Sequence, residues 1–118
     1  MVAADYLFAG VVVCEIDAAT EWYTRFFGRE PSFRPNDYES VWQTVATGSV
    51  YIKADPPNAG RSVVTFAVAN LEAEVAALTE RGITAAPVEK VGTVGIKSKL
   101  NDPDGNEITL VEIRAGQA

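Results

Sequence analysis

Apolar and polar positions change period several times along the chain, and each change marks an element. From Tyr6 to Ile16 a valine-rich run bounded by acidic residues predicts a strand covered on both faces. In DAATEWYTRFFG the period changes: Ala19, Trp22, Tyr23, Phe26 and Phe27 fall at i, i+3, i+4, i+7 and i+8, which predicts a helix burying one face. Asp17 is placed to cap it and Gly28 to stop it. Pro31 and Pro35 then bracket a short extended piece around Phe33, and Asn36-Asp37 marks a turn. Two hairpin strands follow, Ser40 to Thr47 and Ser49 to Ala54, joined near Gly48. DPPNAGR, from Asp55 to Arg61, reads as a short linker.

The pattern then starts again. Ser62 to Val68 is a strand, and Asn70 caps a helix with Leu71, Val75 and Leu78 on one face and Gly82 as its stop. Extended pieces are expected around Val88 and from Val94 to Leu100, and DPDGN turns the chain into a strand from Glu107 to Ile113. The tail from Arg114 to Ala118 is expected to fray. Glu15 stands thirteen residues before Gly28 and Asn70 twelve before Gly82, so the two halves repeat one order, strand, helix, three strands. A βαβββ unit exposes a sheet face it cannot bury alone. Two copies, 6–54 and 62–113 around the linker 55–61, therefore predict one α+β domain over 1–118, an open, cupped mixed sheet with helices on its outer face. The cup is the natural ligand site.

Composition narrows what that cup meets. With 118 residues, 47% hydrophobic and 22% charged, the chain suits a single globular domain. A formal charge of −6 disfavours nucleic acid and anionic membrane as partners and favours cationic ligands. There is no basic leader with a cleavage pattern and no apolar run long enough to span a bilayer, so a cytoplasmic location is expected. Cys14 is the one cysteine and sits in an apolar strand, which reads as a buried structural thiol; with no histidine to activate it, a nucleophilic role is disfavoured.

Three stretches, EIDAATEWYTRFFG, VTFAVANLEAEVAALTERGI and NDPDGNEITLVE, in this order and repeat, resemble the vicinal oxygen chelate superfamily. That superfamily includes glyoxalase I, extradiol dioxygenases, fosfomycin-resistance enzymes and bleomycin-resistance proteins. The resemblance implies that metal-using members hold an ion in the cup with His and Glu from the first and last strand of each module. The matching positions here are Phe8, Val63 and Thr109, with Ile52 the first-module equivalent of Thr109 give or take one residue. These offer at most a hydroxyl, whereas a tightly held divalent ion wants about three protein ligands. A metal-free member with no cofactor is therefore expected.

By strand alternation Phe8 shares the cup face with Gly10, Val12 and Cys14, while Ala9, Val11 and Val13 pack under the helix. Val63 and Thr65 line the second half, opposite Thr109 and Val111. Phe33, Tyr38, Trp42 and Tyr51 supply aromatic walls; Trp42 reads equally as packing between sheet and helix or at a dimer seam. Catalytic residues are not assignable. Glu107, Glu112, Lys53, Lys97 and Lys99 are candidates for a relocated base, but charge on strands usually faces solvent. The resemblance implies intact binding of an aromatic or cationic small molecule, as in the drug-sequestering branch. The alternative is a glyoxalase-like isomerase or lyase with non-histidine catalytic groups. A regulatory protein-interaction module has little in the sequence to favour it. A homodimer is expected, because pairing would cover open sheet edges.

Overall fold

A computed structural model describes residues 2–114 of the chain; the tail expected to fray lies, but for Arg114, outside the described residues. The elements run β1 (Leu7–Val13), α1 (Ile16–Phe27), β2 (Phe33–Asn36), β3 (Glu39–Val45), β4 (Gly48–Ala54), β5 (Val63–Ala67), α2 (Leu71–Glu80), β6 (Glu89–Val91), β7 (Gly95–Asn101) and β8 (Glu107–Ile113). Each half is a βαβββ module with its own four-stranded sheet, ordered β1-β4-β3-β2 and β5-β8-β7-β6. In each module the helix carries the chain across the sheet, so the first strand pairs parallel with the fourth, and hairpins supply the antiparallel remainder. Both sheets stay open, and the architecture is α+β, as the repeat predicts.

The helices form where the period says, but α1 starts differently. Glu15, not Asp17, is its N-cap: the Glu15 carboxylate accepts from the amides of Asp17 and Ala18. Gly28 ends α1 in the left-handed region at φ 74°, where its amide reaches Thr24 O. Asn70 caps α2 by accepting from Ala73 N. The helix-side residues of both sheets join one core around Trp22, Tyr23, Phe26, Trp42, Ile52 and Ile108. Phe66 of β5 meets Phe26 and Phe27 of α1 at 5.7 and 5.9 Å, so α1 also packs against the second module.

The segment between modules is fixed rather than slack. It holds a short 3-10 turn at Pro56–Asn58, and its ends bond back to β1 through Asp55 N to Val13 O and Gly60 N to Val12 O. A Cβ at Gly60 would lie 2.3 Å from Asp104 O, so only glycine lets the segment pass the DPDGN turn. That turn clamps the modules together. Asn106, fully buried, accepts from Ser62 N and donates to Val12 O and to Asp102, each at 2.8 Å. Asp102 also accepts from Tyr23 Oη at 2.7 Å. Burial and the adjacent carboxylate push the Tyr23 phenol far above its ordinary value, so it remains a hydrogen-bond donor at any working pH.

Cys14 does not follow the expectation of a buried thiol. It is exposed, in the bend between the end of β1 and the cap of α1, past the packed part of the strand.

Glu112 ties α2 to β8 by accepting from Leu71 N at 2.9 Å, and it also accepts from Arg114 Nε at 2.9 Å. These bonds hold its carboxyl below the ordinary glutamate value, the Leu71 amide contributing most. Because the folded state favours the charged form, this stabilisation is present above about pH 4.5 and is lost as the pH falls through the lower, folded value. Thermal melts should therefore show Glu112→Gln to be less stable than the parent at neutral pH, with the gap closing in acid. A gap that does not depend on pH would show that the charge is not what matters.

Candidate ligand-binding face

The two sheet faces turned away from the helices carry the residues expected to line a cup, and strand register decides which. Across the first module one row runs Phe33–Val41–Tyr51–Gly10, and the next runs Gln43–Ser49–Phe8. Across the second, the matching rows are Lys99–Thr109–Thr65 and Lys97–Val111–Ala67, with Asn101–Glu107–Val63 at the end. Phe8, Phe33, Tyr51, Val63, Thr65, Thr109 and Val111 thus share this side, with Phe8 54% and Val63 70% exposed. Tyr38 is exposed in the turn between β2 and β3.

Two expected residues lie elsewhere. Ile52 is 0% exposed on the helix side of β4, and Tyr51 is the one paired with Gly10 as Thr109 is paired with Thr65. The first-module equivalent of Thr109 is therefore Tyr51, one residue from the expected Ile52. Trp42, also 0% exposed, packs beside Phe27 and Tyr23, and its indole N–H donates to Arg29 O at 3.0 Å. Of its two readings, the structure shows packing between sheet and helix.

Tyr6 joins this face without being expected there, and Gly10, expected on it, makes room for a ring. A Cβ on Gly10 would lie 2.7 Å from the Tyr51 ring carbon Cζ and from its hydroxyl, so the ring lies across a strand position that glycine keeps low. The Tyr6 ring sits 4.8 Å from that of Phe8, and its hydroxyl is 2.6 Å from Ser49 Oγ. The signal was alternation: Tyr6 and Phe8 are two apart and Ser49 is Phe8's partner. The first-module face is thereby aromatic and the second is polar, with Lys97 paired to Glu89 at 3.4 Å. Lys53, Lys97, Lys99 and Glu107 fall on this side, whereas Glu112 is engaged at the start of α2.

The equivalent first-strand and last-strand positions of the two modules are Phe8 and Tyr51 in one, Val63 and Thr109 in the other. Two side chains without a donor atom, a phenol and a mostly buried threonine hydroxyl do not make a divalent-metal site. Among the described residues, no three His, Cys, Asp or Glu side chains converge to hold an ion either. A cleft also opens between the modules, lined by Ala9, Phe26 and Phe27 of the first and Val64, Thr65 and Phe66 of the second.

Fold and repeat agree with a known family. Residues 5–110 match the model of the Glyoxalase/Bleomycin resistance protein/Dioxygenase superfamily. The chain belongs to this superfamily. It is 38% identical to a glyoxalase/bleomycin resistance protein from Catenulispora acidiphila DSM 44928, whose crystal structure superposes with a TM-score of 0.87 over 94% of this chain and all of that one. Two more distant superfamily folds are an antibiotic-binding protein from Streptomyces sp. CB03234 and a bleomycin-binding protein complexed with bleomycin. The first is 20% identical, TM-score 0.77, over 97% of this chain and 99% of that one. The second is 18% identical, TM-score 0.74, over 96% and 100% respectively. No curated protein matches the chain in sequence. No helix among the described residues is long and apolar enough to cross a membrane.

Proposed function

We propose that this superfamily member binds an aromatic or otherwise apolar small molecule intact and without a metal ion, sequestering an antibiotic or metabolite in the cytoplasm. One observation carries the proposal: half-buried Tyr51 over Gly10, flanked by exposed Phe8 and Phe33, forms an aromatic surface in which Phe8 and Tyr51 stand where metal-using relatives would need donors. Exposed apolar patches on a soluble domain mark interaction sites. Aromatic rings recognise flat or cationic molecules by stacking and by cation–π attraction, which needs neither ion nor base. The formal charge of −6 favours the approach of cations. A bleomycin-binding protein and an antibiotic-binding protein with the same fold support this reading. A homodimer in which one copy helps to cover the other's open face suits the exposure of Phe8 and Val63.

The second reading is a glyoxalase-like isomerase or lyase, and what favours it is Lys99 alongside Thr109 on the same face. Titration with a panel of polycyclic and cationic antibiotics separates the two. Binding should weaken by about tenfold or more in Phe8→Ala and Tyr51→Ala, whose side chains lie outside the main core. A stoichiometric, tightly held metal in the purified protein, or turnover of a bound compound that Lys99→Met abolishes, would overturn the sequestration proposal.

A further inference from the structure

A cleft of about 520 Å³ separates the modules, running from the helix side to Ser49 and Thr65 but lined by none of Phe8, Phe33 and Tyr51. Ala9, Phe26 and Phe27 line it from the first module and Val64, Phe66 and Leu110 from the second. A solvent-open gap this large between apolar walls leaves hydrophobic surface in contact with water, which calls for an occupant. Loose docking of the modules is not the explanation, because they are tied at separate points. The Asn106 clamp joins β1 to the start of β5. From the end of α2, the Arg81 guanidinium reaches the last carbonyls of α1, donating to Arg25 O and, at 2.9 Å, to Phe26 O. The Phe66 contacts with Phe26 and Phe27 lie beside the gap. The cleft is held open, and its volume falls within the ~300–1,000 Å³ of small-molecule sites.

Charge at the lining selects the ligand. Arg29 and Arg81 border the cavity against one carboxylate, Glu74, in a chain that is acidic overall. Arg81 is fixed by its two carbonyl acceptors and keeps three of its five N–H groups for another partner. Arg29 is exposed beside it in the lining and bonds Gln43 O. We infer that the cleft between the modules is a second ligand site, distinct from the Phe8, Phe33 and Tyr51 rings, for a compact ring molecule with an apolar body and a single anionic group met by Arg29 and Arg81.

Anilinonaphthalene sulfonate, two apolar ring systems with one sulfonate, is a direct probe. Titrated into the full chain, it should give a saturable fluorescence rise at one site per chain. Arg29→Glu, a change at an exposed side chain, should raise its Kd by about tenfold or more. Val64→Phe, which fills the cleft, should abolish the rise, and circular dichroism checks that this variant is folded. Phe8→Ala and Tyr51→Ala should leave the titration unchanged, which separates this site from the proposed sheet-face site. Absence of saturable binding, wild-type affinity in both Arg29→Glu and folded Val64→Phe, or loss of binding in the sheet-face variants would overturn the inference. Release of the probe as protein concentration rises would also overturn it, since a second copy of the chain would then be the occupant.

Discussion

Replacing Asn106 by alanine should cost about 2–4 kcal/mol of stability, a large share of the 5–15 kcal/mol that holds a typical domain folded. The side chain is fully buried and makes one accepted and two donated bonds, to Ser62 N, Val12 O and Asp102. Removing it does not orphan all three partners equally. Val12 O keeps Gly60 N, and Asp102 Oδ2 keeps Tyr23 Oη, but Ser62 N loses the acceptor it has here. Asn106→Asp supplies the decisive comparison in urea unfolding. It retains the shape and an acceptor for Ser62 N but sets a carboxylate oxygen against Val12 O and the Asp102 carboxylate. If the clamp works by donation, the isosteric variant should be at least as damaging as alanine. If Asn106 merely fills space, it should be benign.

The clamp also shows where sequence reasoning stopped. DPDGN is legible as a turn because aspartate, proline and glycine each favour turn conformations for local reasons. Its role in joining the modules is not legible, since Asn106 bonds residues 44 and 94 positions away. Helix positions were readable for the opposite reason. The apolar stripe Ala19, Trp22, Tyr23, Phe26 and Phe27 has a single way to face a core, and Gly28 and Gly82 carry the positive φ that ends a helix cheaply. The helix cap went to Glu15 rather than Asp17 because the chain enters α1 two residues earlier, with Glu15 in extended geometry and Asp17 already inside the first turn.

Register was the harder problem. In β8, polar Thr109 stands between apolar Ile108 and Leu110, so the sequence itself shows which residues face away from the core. In β4, Val50, Tyr51 and Ile52 are all good strand residues, and nothing local tells one face from the other. A slip of one residue exchanges the faces, which is how Ile52 stood in for Tyr51. Only the pairing of Gly10 with Tyr51, and the room glycine leaves for the ring, settles it. Cys14 fails differently: its apolar neighbours suggested burial, yet the strand ends at Val13 and Cys14 falls in the exposed bend that follows.

Trp42→Ala should cost about 3–5 kcal/mol and is the change best able to unfold the first module. The ring is 0% exposed, stands 5.2 Å from Phe27 and 6.1 Å from Tyr23 by ring centroids, and donates to Arg29 O. Alanine leaves a void among these rings and removes the donor to a backbone carbonyl at the end of α1, so transfer, cavity and hydrogen-bond losses all act together. Trp42→Phe keeps most of the apolar contact and should cost less, with the missing indole bond as its main deficit. Because Trp42 faces the helix, Trp42→Phe should leave binding to the aromatic sheet face near that of the parent, whereas Tyr51→Ala should weaken it. Unfolding and ligand titration measured on the same variants therefore test the placement of both rings. A Trp42→Phe chain that remains stable but loses the ligand would move the principal site from the open sheet face to the helix side.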